Sequence, residues 1–317
     1  MEISASTHVS DACQVSEQTH GDTAPGSQAL WRVGMRALRR QGKQIRDHIA
    51  VVCAGSDAED IHQMRVATRR LRSMARVLEA TPAFRRQRVA RLRKQLQPLA
   101  NRLGAVRDLD ILLQRLDAYE HETSMVSPVL RDELRQRREK ALAGLRDELQ
   151  QPTLLRLVRH PRRMARRLVV RKQGARRIRM RFVAGSALWQ RYEAVLSFED
   201  TVENGASTRQ LHALRITCKH LRYALELFCA EDDPRGRVLI ETLKEVQDYL
   251  GDLQDSVFAV TLLAHLRHDF PHDEALAGFL AAQETQRETL RLGFAPLWDR
   301  LSGSAFRQNL ATLIAAL

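Results

Sequence analysis

The chain has 317 residues, a hydrophobic content of 44% and a formal net charge of +13. Its length allows one large or two ordinary domains, and its apolar content is enough for a sizeable core. Aromatic residues make up only 5%, which disfavours a β-sandwich or barrel and predicts an all-α protein. No segment approaches the roughly 20 apolar residues of a membrane span, and the N-terminus lacks the pattern of an export signal. We therefore expect a protein of the cytoplasm with no membrane partner.

Basic residues are unevenly distributed and are mostly arginine. Residues 1–27 contain four acidic and no basic residues, so the rest of the chain carries a net charge of +17. We predict that this acidic segment is a disordered arm, because it shows no apolar period. Of the 51 basic residues, 45 are Arg, whose planar guanidinium pairs two donors with two phosphate oxygens. The composition favours a polyanionic partner; a solvated helix surface rich in Arg is the alternative interpretation.

The first half of the folded part, residues 28–155, contains four amphipathic segments. Their apolar spacing predicts helices at about 29–53, 58–80, 83–119 and 127–150, with a disturbance at Pro98. Ser56 and Glu59 form a capping-box pattern before the second of these helices. Four such helices are typical of a bundle.

A dense basic stretch joins the two halves. Residues 156–181 contain twelve Arg or Lys and no acid, and we predict a basic linker or helix there. In the second half, residues 182–317, apolar spacing predicts helices near 183–203, 208–230, 235–268 and 273–300, followed by a short C-terminal helix.

Two predicted helices, 150 positions apart, carry the same pattern of histidine and arginine. The first reads IHQMRVATRRLRS from position 61, and the second reads LHALRITCKHLRY from position 211. On a helix, positions 62, 65, 69, 72 and 76 fall within a sector of about 80° beside the apolar stripe. We call this face the first ladder; the second ladder consists of His212, Arg215, Lys219 and Arg222. Only the fifth position differs, because Glu226 stands where the first ladder has Arg76.

The third helix of each half repeats a second motif. LGAVRDLDILL at 103–113 corresponds to LGDLQDSVFAV at 250–260. Two motifs recurring in the same order predict an internal duplication, and hence two pseudo-symmetric four-helix bundles. Asp108 and Asp255 occupy the same place in the two copies, and we expect them to brace the ladders through salt bridges to arginine.

The pattern H-x-x-R-[VI]-x-x-[RK]-x-L-R, followed by LG-x-x-x-D and present twice, resembles the CHAD family, the α-helical domains named for their histidines. The matching residues are His62, Arg65, Arg69, Arg70 and Arg72 with Leu103, Gly104 and Asp108, and His212, Arg215, Lys219 and Arg222 with Leu250, Gly251 and Asp255. The resemblance implies two similar bundles around a basic groove or pore that binds inorganic polyphosphate, in some members at polyphosphate granules. Some relatives carry an additional CYTH triphosphatase domain, for which this chain has no room.

We therefore predict a non-catalytic module that binds inorganic polyphosphate through a basic groove, in the cytoplasm and at polyphosphate granules. Successive ladder positions lie about 4.5 to 6 Å apart along a helix axis, which suits successive phosphates. The predicted polyphosphate-binding residues are His62, Arg65, Arg69, Arg70, Arg72, Arg76, Lys94, His212, Arg215, Lys219, His220, Arg222 and Lys244.

Other functions receive less support from the sequence. We predict neither a metal nor a cofactor, because neither ladder has a second His or a carboxylate at i+3 or i+4. His62 and His212 therefore either contact phosphate or hold the bundle together. No phosphoryl-transfer or hydrolase motif is present, so we predict no enzyme activity. The competing hypotheses are non-specific nucleic-acid binding, a granule-associated structural protein acting through residues 156–181, and an enzyme that processes polyphosphate.

Overall fold

The computed structural model describes residues 28–55, 58–170, 173–229 and 233–317. In these ranges the chain folds into α-helices, and the β-structure described is limited to two isolated bridges. The all-α prediction is confirmed. The predicted acidic arm and the predicted capping residue Ser56 lie outside the described residues.

The first half contains five helices. They are α1 (Leu30–Gly55), α2 (Ala58–Glu79), α3 (Arg86–Gln95), α4 (Gln97–Thr123) and α5 (Pro128–Leu149). The predicted segment 83–119 divides into α3 and α4 at Leu96. Pro98 is the second residue of α4, where a helix has no intrahelical partner for an N–H and proline is therefore tolerated.

The basic stretch between the halves is helical in three short pieces. These are α6 (Pro152–Val158), α7 (Pro161–Leu168) and α8 (Gln173–Arg176). Pro at the first position of α6 and α7 favours helix initiation, because its φ angle is already helical. The apolar side of α7 is buried in the core, and α7 contacts both α1 and α3.

The second half contains α9 (Arg181–Leu196), α10 (Glu199–Glu203), α11 (Thr208–Phe228), α12 (Pro234–Asp269), α13 (Glu274–Leu292), α14 (Ala295–Ser302) and α15 (Ser304–Ala316). A complete capping box begins α11, in which Ser207 and Gln210 each satisfy the other's backbone N–H. The predicted helix 273–300 ends at Leu292, and Gly293 and Phe294 turn the chain into α14.

The two ladder helices lie in the middle of the fold, where α2 and α11 pack against each other. Helix α2 also contacts α1, α3 and α4, while α11 contacts α9 and α12. One continuous core extends from Leu30 to Leu313, and a second core joins the α4–α5 and α12–α13 hairpins. The two halves therefore share their cores rather than forming independent units. Their internal duplication stays a prediction.

Candidate functional site

Five cations of the two ladders lie close together where α2 meets α11. We call Arg65, Arg69, Arg72, Arg215 and Lys219 the central cation cluster. Burial, and then the charges of Arg215, Arg69, Arg65 and Arg72, together lower the pKa of Lys219 to about 7. Because charge acts on a pKa only over short distances, arginines from both ladders lie near this lysine. The two predicted ladders thus form a single site.

Two glycines leave room for the guanidinium groups of Arg65 and Arg215 to pack against neighbouring helices. The Nη1 atom of Arg65 lies 3.4 Å from where a Cβ on Gly104 would stand, and Nη2 of Arg215 lies 3.3 Å from the corresponding point on Gly251. A larger residue at either position would displace the guanidinium. Each contact therefore joins the glycine of an LG-x-x-x-D motif to the arginine that follows a ladder histidine by three residues. This contact explains why the two motifs recur together.

Asp108 and Asp255 lie near the arginines that they are predicted to brace through salt bridges. Burial raises the pKa of Asp108, and the positive charge of Arg65 opposes that shift. Burial likewise raises the pKa of Asp255, opposed by Arg115 and then Arg215. In the described part of the chain, however, no ion pair within 4.0 Å joins Asp108 to Arg65 or Asp255 to Arg215. The prediction of salt bridges is therefore wrong for these pairs, and the two carboxyls act on the arginines through space. Arg215 Nε instead donates a hydrogen bond to the Gln247 carbonyl at 3.3 Å.

One end of the site is partly neutralised by a carboxylate. Glu226 of α11 places Oε2 3.6 Å from Arg70 Nε on α2 and Oε1 3.5 Å from Arg222 Nε. Arg222 is only 7% exposed, and its guanidinium lies over the ring of Tyr223, 5.0 Å from the centroid. The residue that breaks the symmetry between the ladders therefore holds two of the predicted binding arginines.

Arg76 and His220, the other predicted residues of the crossing, lie near Arg93, which pairs with Glu79 at 2.9 Å. Burial, and then the charges of Arg76, Lys219, Arg191 and Arg93, together lower the pKa of His220 to about 4. Arg93 of α3 and Arg191 of α9 were absent from the predicted set. The basic run around Lys94 pointed to α3, but the helix break at Leu96 sets a register in which Arg93, rather than Lys94, faces Arg72 and Arg76.

Of the remaining predicted residues, His62 and His212 lie near ladder arginines, whereas no contact of Lys94 or Lys244 with the cluster is found in the described part of the chain. Burial lowers the pKa of His62, helped by Arg107, and burial lowers the pKa of His212, with Gln254 opposing. Lys94 and Lys244 are exposed, and Lys244 lies 4.0 Å from Glu241. Arg72 donates a hydrogen bond to the Gln97 side chain.

The described ranges contain no group of three or more His, Cys, Asp or Glu side chains that could hold a metal ion. Burial raises the pKa of the Cys218 thiol to about 12, so this cysteine is a poor nucleophile and packs as a small hydrophobe. No helix in the described part is long and apolar enough to cross a membrane.

Fold and site define an all-α protein whose two histidine- and arginine-bearing helices meet at a cation-rich centre. The model of the CHAD domain matches residues 36–264, and the chain belongs to this family. The resemblance carried by the two ladders is thereby confirmed.

Solved structures show the same fold. The crystal structure of the CHAD domain from the plant Ricinus communis has a TM-score of 0.60 and 23% identity, covering 91% of this chain and 93% of that one. PptA from Streptomyces chartreusis has a TM-score of 0.65 and 16% identity, covering 86% and 100%. Among curated sequences, uncharacterized protein MT2285 of Mycobacterium tuberculosis (strain CDC 1551 / Oshkosh) is 29% identical over 213 residues. That match spans 64% of this chain but only 39% of the relative.

Proposed function

We propose that this protein binds inorganic polyphosphate in the central cation cluster and does not hydrolyse it. The observation that carries the proposal is the meeting of Arg65, Arg69, Arg72, Arg215 and Lys219 where α2 packs against α11. Burial, together with the charges of these arginines, lowers the pKa of Lys219 to about 7. Membership of the CHAD family, which is associated with polyphosphate, supports the same ligand.

Buried cations without enough neighbouring acid destabilise a fold unless a ligand supplies the missing charge. The Nε atoms of Arg69 and Arg72 are buried and have no hydrogen-bond partner among the described residues. Phosphate oxygens accept charge-assisted hydrogen bonds from such groups and carry the opposite charge. The centre is therefore suited to an anion with several phosphates.

A linear polyphosphate fits this site better than a nucleic acid does. The ladder positions follow one another at about 4.5 to 6 Å along each helix, so successive phosphates can be contacted in turn. Bases would require exposed rings for stacking, but the Tyr223 ring beside the second ladder is fully buried and covered by Arg222. Recognition would thus depend on the number and spacing of charges.

The test is calorimetric titration with long-chain polyphosphate at physiological salt. The variant combines Arg69→Gln with Lys219→Met, because neither side chain forms an ion pair with an acid in the described ranges. The contacts of Arg65 with Gly104 and of Arg215 with Gly251 involve neither residue. Because two charge-assisted contacts are lost, we expect the affinity to fall about 100-fold or more. The matched control, Arg135→Gln with Lys140→Met on the exposed side of α5, removes the same charge and should change affinity less than twofold.

Three further readouts complete the test. Mixed-sequence duplex DNA should not displace the bound polymer, and incubation with Mg²⁺ should release no orthophosphate. In cells the protein should collect on polyphosphate granules, whereas the double variant should not. Equal affinity of wild type and double variant, easy displacement by DNA, or orthophosphate release would each contradict the proposal.

A further inference from the structure

Helix α7 presents two rows of arginine to solvent while its other side is anchored in the core. Met164, Ala165 and Leu168 are buried, whereas the four arginines at 162, 163, 166 and 167 are exposed. We call these four side chains the α7 arginines. Residues four apart lie on the same side of a helix, so Arg162 pairs with Arg166 and Arg163 with Arg167.

The first row faces helix α1. Arg162 and Arg166 line a surface pocket together with Arg32, Arg36 and Arg39. The three α1 arginines follow at intervals of four and three residues, which corresponds to about 6 and 4.5 Å along the axis. Five exposed guanidinium groups therefore converge on one groove.

The second row faces helix α3. Arg163 and Arg167 line a pocket with Arg88, Arg91 and Arg159. The backbone fixes this arrangement, because Arg88 Nη1 donates a hydrogen bond to the Arg167 carbonyl at 3.1 Å and Val170 N donates to the Ala83 carbonyl at 2.9 Å. The two rows are thus held at defined distances from α1 and α3.

Neither pocket contains compensating negative charge. No Asp or Glu lines either one, and the sequence has no acidic residue from position 149 to 192. In the described part of the chain, none of the α7 arginines lies within 4.0 Å of a carboxylate. Other surface arginines do pair with acids, as Arg131 does with Asp117. An unpaired arginine surface of this kind attracts polyanions.

We propose that the surface formed by the α7 arginines and their α1 and α3 neighbours is a second binding site for inorganic polyphosphate, separate from the central cation cluster. This inference rests on the function proposed above. The regular spacing of the cations suits a repeating phosphate chain. Neither pocket is lined by Phe, Tyr or Trp for base stacking, which favours polyphosphate over single-stranded nucleic acid. A long polymer would bind both sites at once and gain affinity through effective concentration.

The experiment compares wild type with a variant carrying Arg162→Gln, Arg163→Gln, Arg166→Gln and Arg167→Gln. With long-chain polyphosphate we expect affinity to fall about tenfold or more, and the slope of log K against log salt to fall by about 2 to 3. Tripolyphosphate, which is too short to bind both sites, should keep its affinity for the central cluster. The four side chains are exposed, so helical content and melting temperature should stay unchanged.

Two further variants make the result decisive. Arg32→Gln with Arg39→Gln removes part of the same surface from α1 and should also weaken long-chain binding. The charge-matched control changes Arg135, Lys140, Arg287 and Arg300 to Gln on α5, α13 and α14, and should leave binding within twofold of wild type.

The possible failures can be told apart. If the α7 variant binds long-chain polyphosphate as the control does, while Arg69→Gln with Lys219→Met has lost binding, the second site is wrong and the central site stands. If the α7 variant loses binding to duplex DNA alone, the surface serves nucleic acid and the inference is wrong. If wild type binds no polyphosphate at all, the proposed function fails together with it.

Discussion

The central cation cluster and the α7 surface use the same guanidinium chemistry in opposite environments. In the cluster, burial and mutual repulsion lower the pKa of Lys219 to about 7, so each charge costs the fold stability. On α7 the arginines are exposed and water screens them, so they cost the fold little. A buried cation therefore contributes strongly to binding and opposes folding, whereas an exposed cation contributes weakly to both.

The contact between Arg215 and Gly251 gives the most direct test of the central cation cluster. Gly251→Leu would place a side chain where Nη2 of Arg215 lies, 3.3 Å from the Cβ position, and push the guanidinium off α12. We expect polyphosphate affinity to fall about 10- to 100-fold, as one or two charge-assisted contacts are lost, and stability to fall by about 1 to 3 kcal/mol through overpacking. Calorimetric titration and denaturant unfolding measure both effects.

The control for this substitution is Gly144→Leu on α5. There a Cβ would stand 2.9 Å from Nη1 of Arg102, an exposed arginine outside the ladders. The same glycine-to-leucine change displaces a guanidinium there as well, yet binding should stay within twofold of wild type. Equal losses in both variants would mean that the effect of Gly251→Leu is general damage to the fold.

Lys219→Met separates the two effects of a buried cation, its contribution to binding and its cost to folding. Removing this charge should weaken polyphosphate binding about tenfold, because one charge-assisted contact is lost. It should also raise the free energy of unfolding at pH 7 by about 1 to 4 kcal/mol, since an unpaired buried charge is replaced by an apolar group of similar length. Neutralising an α7 arginine should weaken binding without this gain, as thermal melting would show.

The pH dependence of this gain in stability follows from the direction in which folding shifts the pKa of Lys219. The pKa of Lys219 is lower in the folded protein, about 7, than in the unfolded chain. The unfolded chain therefore binds more protons between these values, and wild-type stability rises with pH above 7. The advantage of Lys219→Met should be fully present below pH 7 and shrink as pH rises towards 10. A gain that is independent of pH would contradict repulsion as its cause.

Binding to the cluster should also take up a proton. At pH 8 Lys219 is mostly neutral in the free protein, and a bound phosphate raises its pKa, so we expect uptake of about one proton. Calorimetry in buffers of different ionisation enthalpy measures this number. Lys219→Met should abolish the uptake, whereas the α7 variant should retain it.

Much of the cluster could be predicted from the sequence, because a ladder on a single helix follows from residue spacing. The placement of Arg65, Arg69, Arg72, Arg215 and Lys219 on two matched faces required only helical periodicity. The contact of each glycine with an arginine was not predicted, although the repeated LG motif marked both positions.

The remaining features depend on packing between elements, which spacing along the chain does not reveal. The apolar residues of α7 at 161, 164, 165 and 168 follow helical spacing, but its position against α1 and α3 depends on packing. From the sequence its arginines are predicted only as part of a basic linker. Arg93 and Arg191 join the site because α3 and α9 pack beside α2 and α11. The sequence showed that Glu226 differs from Arg76, but its partner Arg70 lies on the other ladder helix.

Glu226 allows a comparison between the two ladders at their fifth position, where the first ladder has Arg76. Its carboxylate holds Arg70 and Arg222 at 3.6 and 3.5 Å and competes with phosphate for them. Glu226→Gln would remove the charge but keep the size of the side chain, so we expect polyphosphate affinity to rise about two- to fivefold. The gain is limited because partly exposed ion pairs contribute only about 1 kcal/mol.

At the same position of the first ladder, Arg76→Gln is the opposite change in charge and should lower affinity by a similar factor. Salt titrations separate the two variants, because Glu226→Gln should steepen the dependence of log K on log salt and Arg76→Gln should flatten it. If Glu226→Gln weakened binding instead, the carboxylate would be orienting Arg70 and Arg222 for the ligand. The asymmetry between the ladders would then serve positioning, and the polymer would contact both ends of the site equally.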